Sequence, residues 1–401
     1  MFALRRKRWK MVKLSKFVTQ VRGVSYKPND VILEKKAGYT CLLRANNIHG
    51  GELQFDDVVY VDSARVKNTQ LLRAGDILIC ASSGSRHLVG KAACVTGDIN
   101  VTFGAFCKVI RPLAEYAPFL GWFFKSPRYR MQISNASAGV NINNIRAEDI
   151  DNMEIDLCTV KQREEAVRKL NAITHLISLR QQQAEKLDEL VKARFVEMFG
   201  DPVRNTKQFP LVEVQDLYDV SSSKRVYQDE MVLDGIPFLR ISDIVEKSTN
   251  DKCTPQCFIS QEMYDQLSQK GLTPNVGDIL VTSRGTLGLC YEVKPGEKFY
   301  FQDGMISWLY NRKDCVINTY LLYAFRMPGI RKQIDGSNDG STVSYLSIAR
   351  LKRLKIELPP LALQTEFSHF VHEADREKER IQRSAALLET LKRSLMQQYF
   401  G

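Results

Sequence analysis

The sequence reads LVKARFVEMFG at Leu190 to Gly200 and LKRSLMQQYFG at Leu391 to Gly401. Both stretches close on an aromatic-Gly pair, one at the middle of the chain and one at its last two residues. At a shift of 201, Leu187, Leu190, Phe199 and Gly200 fall on Leu388, Leu391, Phe400 and Gly401. An offset this long asks first for an internal duplication.

Four further matches occur in the same order at nearly the same shift. WKMVKLSKF from Trp9 parallels FPLVEVQDL from Phe209. LLR at Leu42–Arg44 parallels FLR at Phe238–Arg240, and GDIL at Gly75–Leu78 recurs at Gly277–Leu280. Both GDIL copies lead into Ser-rich, Gly-containing stretches, CASSGSRHLVG and VTSRGTLG. VNINNIRAEDIDNMEIDL, ending at Leu157, parallels VSYLSIARLKRLKIEL, ending at Leu358. The chain is therefore one plan used twice.

Each half has two parts. The first part carries short apolar runs such as DILICAS and DILVTS between Gly, Asn and Ser, the pattern of strands in a mixed α/β domain. The second part has helical periodicity. Ala166, Leu170, Ile173, Ile177, Arg180, Ala184, Leu187, Val191, Arg194 and Met198 alternate spacings of four and three. Their counterparts are Phe367, Val371, Ala374, Lys378, Ile381, Ala385, Leu388, Lys392, Leu395 and Tyr399. That is an a/d seam over about five heptads, in helices about 60 Å long.

Thr159 and Gln162 fit a capping box at the start of the first helix. The prolines of LPPLALQ fit the start of the second, and Gly200 with Pro202 fits the end of the first. A stripe this long exceeds what one small domain can cover, so each helix needs a helix partner, and its own copy is the obvious one. The basic seam residues Arg180, Arg194, Lys378 and Lys392 are expected to lay their stems on the seam and their charges in water.

The expected organisation is a domain at 1–157, a helix at 158–200, a second domain at 201–357 and a second helix at 358–401. The fold class is α+β: two mixed α/β domains related by an internal repeat, joined by two long antiparallel coiled-coil-like helices. Ile173, Ile177, Leu187, Val191, Met198 and Phe199 are expected to pack against Val371, Ile381, Leu388, Leu395, Tyr399 and Phe400, or against a partner subunit. Docking on a partner would make removal of the last helical turn weaken assembly more than folding.

The 401 residues carry 57 Lys+Arg and 46 Asp+Glu, a net charge of +11. Residues 1–150 hold 23 basic and 11 acidic residues, so the first domain carries the excess. A basic domain suggests a polyanion, most commonly nucleic acid. Residues 201–357 balance at 20 basic and 20 acidic, which weakens general phosphate attraction there. No apolar run reaches the length of a membrane span. Nine cysteines without a CxxC pair read as reduced thiols. Together these suggest a cytoplasmic protein. Met11-Val-Lys-Leu fits a domain start, which would make MFALRRKRWK an extension, while Trp9 aligned with Phe209 argues for including it in the first domain.

Catalytic patterns are thin. The one Pro-Pro opens a helix, so the Asn/Asp-Pro-Pro-aromatic motif of an amino-methyltransferase is missing. Asp278 with Glu292 and Lys294 mimics a metal-dependent nuclease constellation, but the first copy lacks its Glu-x-Lys. His369 and His372, near Glu366 and Glu373, have helical metal-site spacing and read better as a solvated face. No catalytic or metal residue is expected.

Base edges are read by polar side chains on segments that enter a groove. The candidates in the first domain are Arg44, Asn46 and Asn47, then Ser83, Ser85 and Arg86, then Asn141, Asn143 and Asn144. In the second they are Arg240 and Ser242, then Ser283, Arg284 and Thr286, then Ser341, Ser344 and Tyr345.

LDELVKARFVEMFGDP, GDILVTSRGTLG, LPPLALQTEF and the half-chain repeat together resemble the specificity subunit of type I restriction-modification enzymes. The resemblance covers essentially the whole chain. It implies a non-catalytic DNA-reading role, with two target-recognition domains on a bipartite asymmetric site. The long helices would act as a ruler on which two adenine methyltransferase subunits dock, joined by restriction/translocase subunits. The chain would hold no cofactor, while S-adenosylmethionine, ATP and Mg2+ would act through those partners. Two other readings stay open: a stand-alone DNA-cutting or DNA-modifying enzyme, and a DNA-binding scaffold or regulator without a methyltransferase.

Overall fold

The computed structural model describes residues 10–85, 88–97, 99–136, 144–200, 205–250, 252–336 and 345–401. The chain forms two compact units. The first comprises Met1–Arg180 and Arg383–Gly401; the second is Gln181–Gln382.

In the first unit, the strand Ile77–Cys80 sits inside a four-stranded sheet ordered Val18–Arg22, Cys107–Pro112, Ile77–Cys80, Ala92–Cys94. All four of its residues are buried, as its unbroken apolar run requires. A second sheet is ordered Val101–Phe103, Tyr39–Leu43, Val59–Asp62, Val31–Ile32. In it Val101–Phe103 runs parallel to Tyr39–Leu43 and the other pairings are antiparallel. Lys10–Lys13 pairs antiparallel with Glu154–Leu157, tying the start of this unit to the residues before the long helix.

The second unit repeats the scheme. Asp219–Ser221, Ile306–Tyr310, Ile279–Thr282 and Cys290–Glu292 form the first sheet. Tyr300–Phe301, Ile236–Leu239, Phe258–Ile259 and Met231–Val232 form the second, again with one parallel pair. Leu211–Glu213 pairs with Lys355–Glu357. The glycines of both GDIL copies, Gly75 and Gly277, have φ of 85° and 88°. The turn before the central strand needs a left-handed residue at that point, which explains why the motif recurs with its glycine.

The two copies differ most clearly after the strand that precedes Arg44 or Arg240. After Tyr39–Leu43 the first unit inserts a small hairpin, Ile48–His49 with Glu52–Leu53. After Ile236–Leu239 the second inserts the helix Ile241–Asn250.

Two helices of 40 residues, Val160–Phe199 and Leu361–Phe400, close the two halves. The capping box forms: Thr159 N–H donates to Gln162 Oε1 (3.1 Å) and Gln162 N–H donates to Thr159 Oγ1 (3.4 Å). Gly200 has φ of 85° and its N–H donates to the Val196 carbonyl, a left-handed helix end. Pro202 lies outside the described residues. In the second helix Gln364, fully buried, accepts from Ile317 N–H and donates to the Cys315 and Pro359 carbonyls.

Within the second unit the two helices run antiparallel. Arg194 pairs with Glu366 (2.7 Å) and Asp188 with Lys378 (2.6 Å), so the partner number rises as the first falls. In the first unit the end of one helix meets the start of the other: Ala166 and Leu170 share a core with Met396, Tyr399 and Phe400.

Along the seam Ala166, Leu170, Ile173, Ile177, Phe367, Val371 and Ile381 are all buried. Leu187 and Leu388 are half-buried. Toward each C-terminus the buried face slips by one residue. Val191 is followed by Phe195 and Phe199, while Arg194 turns outward and Met198 is half-buried. Met396 is buried where Leu395 is half-buried. A straight helix drifts about 20° per heptad against a strict 3.5 repeat, and the helix ends pack on sheet-domain cores as well as on another helix.

Those cores consume the aromatic-Gly endings. Phe199 lies 4.9 Å from Tyr320 and 5.4 Å from Phe367, ring centre to ring centre. Phe400 lies 4.9 Å from Phe119. Phe199, Tyr399 and Phe400 are therefore intrachain packing residues. Among the described residues no helix is long and apolar enough to cross a membrane.

Candidate nucleic-acid interface

The central strand of each unit delivers the Ser-rich stretch to the same structural junction. In the first unit Ala81 and Ser82 N–H both donate to the Phe106 carbonyl (2.9 Å each), and Ile145 N–H donates to the Ala81 carbonyl (2.7 Å). Ser82 and Asn144 form an antiparallel bridge. Lys108 Nζ donates to the Ile145 carbonyl (2.8 Å), a lysine whose pKa is lowered by burial and then by nearby Arg22. Gly104 N–H donates to the Leu43 carbonyl, which brings the Arg44 turn alongside.

The second unit makes the same junction. Ser283 N–H donates to the Met305 carbonyl (2.8 Å), Leu346 N–H to the Ser283 carbonyl (3.0 Å), and Gln302 N–H to the Leu239 carbonyl (3.0 Å). The segments around residues 240, 283, 303 and 345 thus converge as do those around 44, 82, 105 and 144. The candidate stretches, scattered in sequence, are neighbours in each fold.

Individual candidates differ. Asn47 is fully buried; its amide donates to the Gln54 and Asp56 carbonyls (3.0 Å each) and its oxygen accepts from Arg44 N–H (2.8 Å). Asp243 fills the same place after Arg240, accepting from its N–H (2.7 Å). Asn47 is therefore a turn brace, which corrects its assignment as a base reader. Ser283 is likewise buried, its hydroxyl 2.8 Å from that of Ser307. In both cases a polar residue suited to a groove is also suited to satisfying a buried turn.

The rest are accessible. Arg44 pairs with Asp57 (3.1 Å) and Asn46 donates to the same carboxylate (2.6 Å). Ser83 and Ser85 are half-buried, and Ser83 Oγ accepts from Ser85 N–H (3.2 Å). Asn144, Arg240, Ser242, Arg284, Thr286 and Tyr345 are exposed. Arg86, Asn141, Asn143, Ser341 and Ser344 lie outside the described residues.

Between these segments of the first unit lies a hollow of about 390 Å3, lined by Tyr26, Arg44, Asn46, Ser83, Leu88 and Phe106 among others. Burial raises the Tyr26 pKa, with Arg44 acting against it. Among the described residues Arg44 Nε, although buried, faces no acceptor. Phe106, 66% exposed, was not among the sequence candidates. Its only signal was a bulky aromatic two residues after Gly104, where a turn would hold it outward.

The two carboxylates of the nuclease-like trio are committed elsewhere. Asp278 Oδ2 accepts from Trp308 Nε1 (2.9 Å) and Asn275 N–H (2.7 Å), and Glu292 Oε1 accepts from Asn318 Nδ2 (2.6 Å). His372 Nδ1 contacts the Ser368 carbonyl of its own helix (2.6 Å). Among the described residues no His, Cys, Asp and Glu group is arranged to hold a metal ion.

Residues 207–389 match the family model of the type I restriction modification DNA specificity domain. Over this region the chain is similar to the type I restriction-modification specificity family. It is 35% identical over 185 residues to the EcoKI specificity subunit of Escherichia coli K12. It is 33% identical over 185 residues to the StySPI specificity subunit of Salmonella potsdam. Each alignment takes in 46% of this chain and 40% of the relative, so the match spans less than half the length of these curated relatives.

Two solved structures share the fold along nearly the whole chain. One belongs to work on complex assembly and conformational transition of the type I R-M system. Its TM-score is 0.61 at 16% identity, with 98% of both chains covered. The other is the type I restriction-modification S subunit from M. genitalium, at a TM-score of 0.54 and 14% identity, covering 100% of this chain and 98% of that one. The family match begins at residue 207, and the internal duplication relates the first unit to the matched region.

Proposed function

We propose that this chain is the DNA-reading subunit of a type I restriction-modification enzyme. Each unit reads one half of a bipartite, asymmetric site in double-stranded DNA. Two adenine methyltransferase subunits and the restriction/translocase subunits assemble on it in the cytoplasm and bring S-adenosylmethionine, ATP and Mg2+. The chain itself is non-catalytic.

One observation carries this reading: the same topology occurs twice, with the same segments converging, while the insertion after the Arg44 or Arg240 turn is a hairpin in one copy and a helix in the other. Shared architecture with different reading surfaces suits two different half-sites. The excess positive charge of residues 1–150 supports phosphate contact by the first unit.

The test is disruption of the gene in its host with genome-wide mapping of adenine methylation. A bipartite asymmetric motif should disappear. An unchanged methylome overturns the reading, and DNA cleavage or methylation by the purified chain alone would replace it with a stand-alone enzyme.

A further inference from the structure

We infer that Arg284 reads a guanine in the half-site of the second unit, with Tyr345 as the residue that positions it. This rests on the reading above that the second unit contacts DNA.

Arg284 lies two residues beyond the central strand Ile279–Thr282, and its guanidinium lies over the Tyr345 ring at 5.2 Å. Tyr345 is itself 38% exposed, so the stack stands at the surface. The ring is held by the adjacent backbone, because Leu346 N–H donates to the Ser283 carbonyl.

The segment carrying Arg284 is fixed without it. The Thr282 hydroxyl donates to the Thr286 carbonyl and accepts from Leu289 N–H (3.0 Å), and the Ser283 and Ser307 hydroxyls meet. Several other arginines of the unit spend donors inside the chain: Arg225 on Asp303, Arg331 on the Leu287 carbonyl, Arg350 on the Gln333 carbonyl. Arg284 donates to no acceptor among the described residues. Its side chain is oriented, and its donors stay available.

A guanidinium held over a ring face by cation–π attraction still has N–H donors to offer. Their fork geometry matches the O6 and N7 acceptors of guanine in the major groove. A phosphate contact needs neither a fixed plane nor a braced segment. Residues 201–357 are also balanced in charge, so directed hydrogen bonds matter more here than general attraction. The first unit has Ser82 and Ser83 at the matching junction, and its Arg44 is engaged by Asp57. Guanine readout by this device therefore belongs to one half-site.

The experiment uses the chain assembled with its methyltransferase subunits and duplexes carrying the motif found by methylome mapping. Each guanine is replaced in turn by 7-deazaguanine, which lacks the N7 acceptor. The wild-type complex should lose binding at one guanine of one half-site. Arg284→Ala should lose that sensitivity and relax preference at that base pair by roughly 5- to 150-fold, with the other half-site read as before. Tyr345→Phe should retain the preference and Tyr345→Ala should blunt it.

Loss of affinity spread evenly over all sequences, with a shallower salt dependence, would mean a phosphate contact and overturns the inference. So does a methylation motif that Arg284→Ala leaves unchanged at every position. A gene disruption that leaves the methylome untouched removes the underlying reading as well, which separates the two failures.

Discussion

The ring of Phe400, one residue from the end of the chain, lies 4.9 Å from the ring of Phe119. Both are essentially buried, and Phe123 and Tyr399 belong to the same core. The C-terminal turn is thus part of the hydrophobic interior of a unit whose sheets formed some 300 residues earlier.

Phe400→Ala should therefore destabilise the first unit by about 3–5 kcal/mol, the range for truncating a core aromatic. Hydrogen exchange resolved by segment checks this. The strand Ile77–Cys80 should lose protection while Ile279–Thr282 in the second unit keeps it. Equal protection in both would mean that the turn docks without supporting the core.

Much of this was legible in the sequence because a duplication is a long-range signal. Gly75 and Gly277 announce the same left-handed turn, and Ala166 to Ile177 announce the seam. Phe195 was not legible. It stands beside Arg194, which keeps the heptad count, and only the drift of a 3.6-residue helix across a domain core turns Phe195 inward. Asn47 failed for a different reason. Asparagine is equally suited to a groove and to a buried turn, and only the carbonyls of Gln54 and Asp56, placed by tertiary folding, decide between them.

The neighbouring asparagines should accordingly separate stability from recognition. Asn47→Ala leaves buried backbone groups unpaired and should cost about 1–3 kcal/mol, measured by urea denaturation. Asn46→Ala, at an exposed site, should hold stability within about 0.5 kcal/mol and, under the proposed function, shift methylation only in the half-site assigned to the first unit. A changed motif from a fully stable Asn47→Ala would reverse their roles.

The pair between Lys378 and Asp188, although short at 2.6 Å, is half open to water. Pairs of this kind contribute about 0.2–1 kcal/mol. Lys378 stands on the seam between buried Ala374 and Ile381. Lys378→Met keeps the packed stem and removes the charge, so its stability should equal or slightly exceed that of the wild type at 1 M salt. A loss of several kcal/mol in thermal denaturation would show that the pair fixes helix register.

The aspartates of the two GDIL motifs offer a comparison within one chain. Asp76 is buried against Arg111, which donates through Nε (2.8 Å) and Nη2 (2.7 Å), and the bond raises the arginine pKa. Asp278 faces Trp308 Nε1 instead, and burial raises its pKa above the usual carboxylate value. Asp76→Asn strands a largely buried guanidinium and should cost about 3 kcal/mol or more. Asp278→Asn keeps an acceptor for the indole and should cost less than about 1 kcal/mol near neutral pH. The pH dependence has a definite sign. A carboxyl with a raised folded pKa binds its proton sooner in the fold, so its unfavourable burial is relieved as pH falls through that pKa toward the unfolded value. Wild type should therefore gain on Asp278→Asn over that acidic window, read from paired urea denaturation series. A constant difference between the two proteins across the window would show that the Asp278 carboxyl is not destabilised by burial.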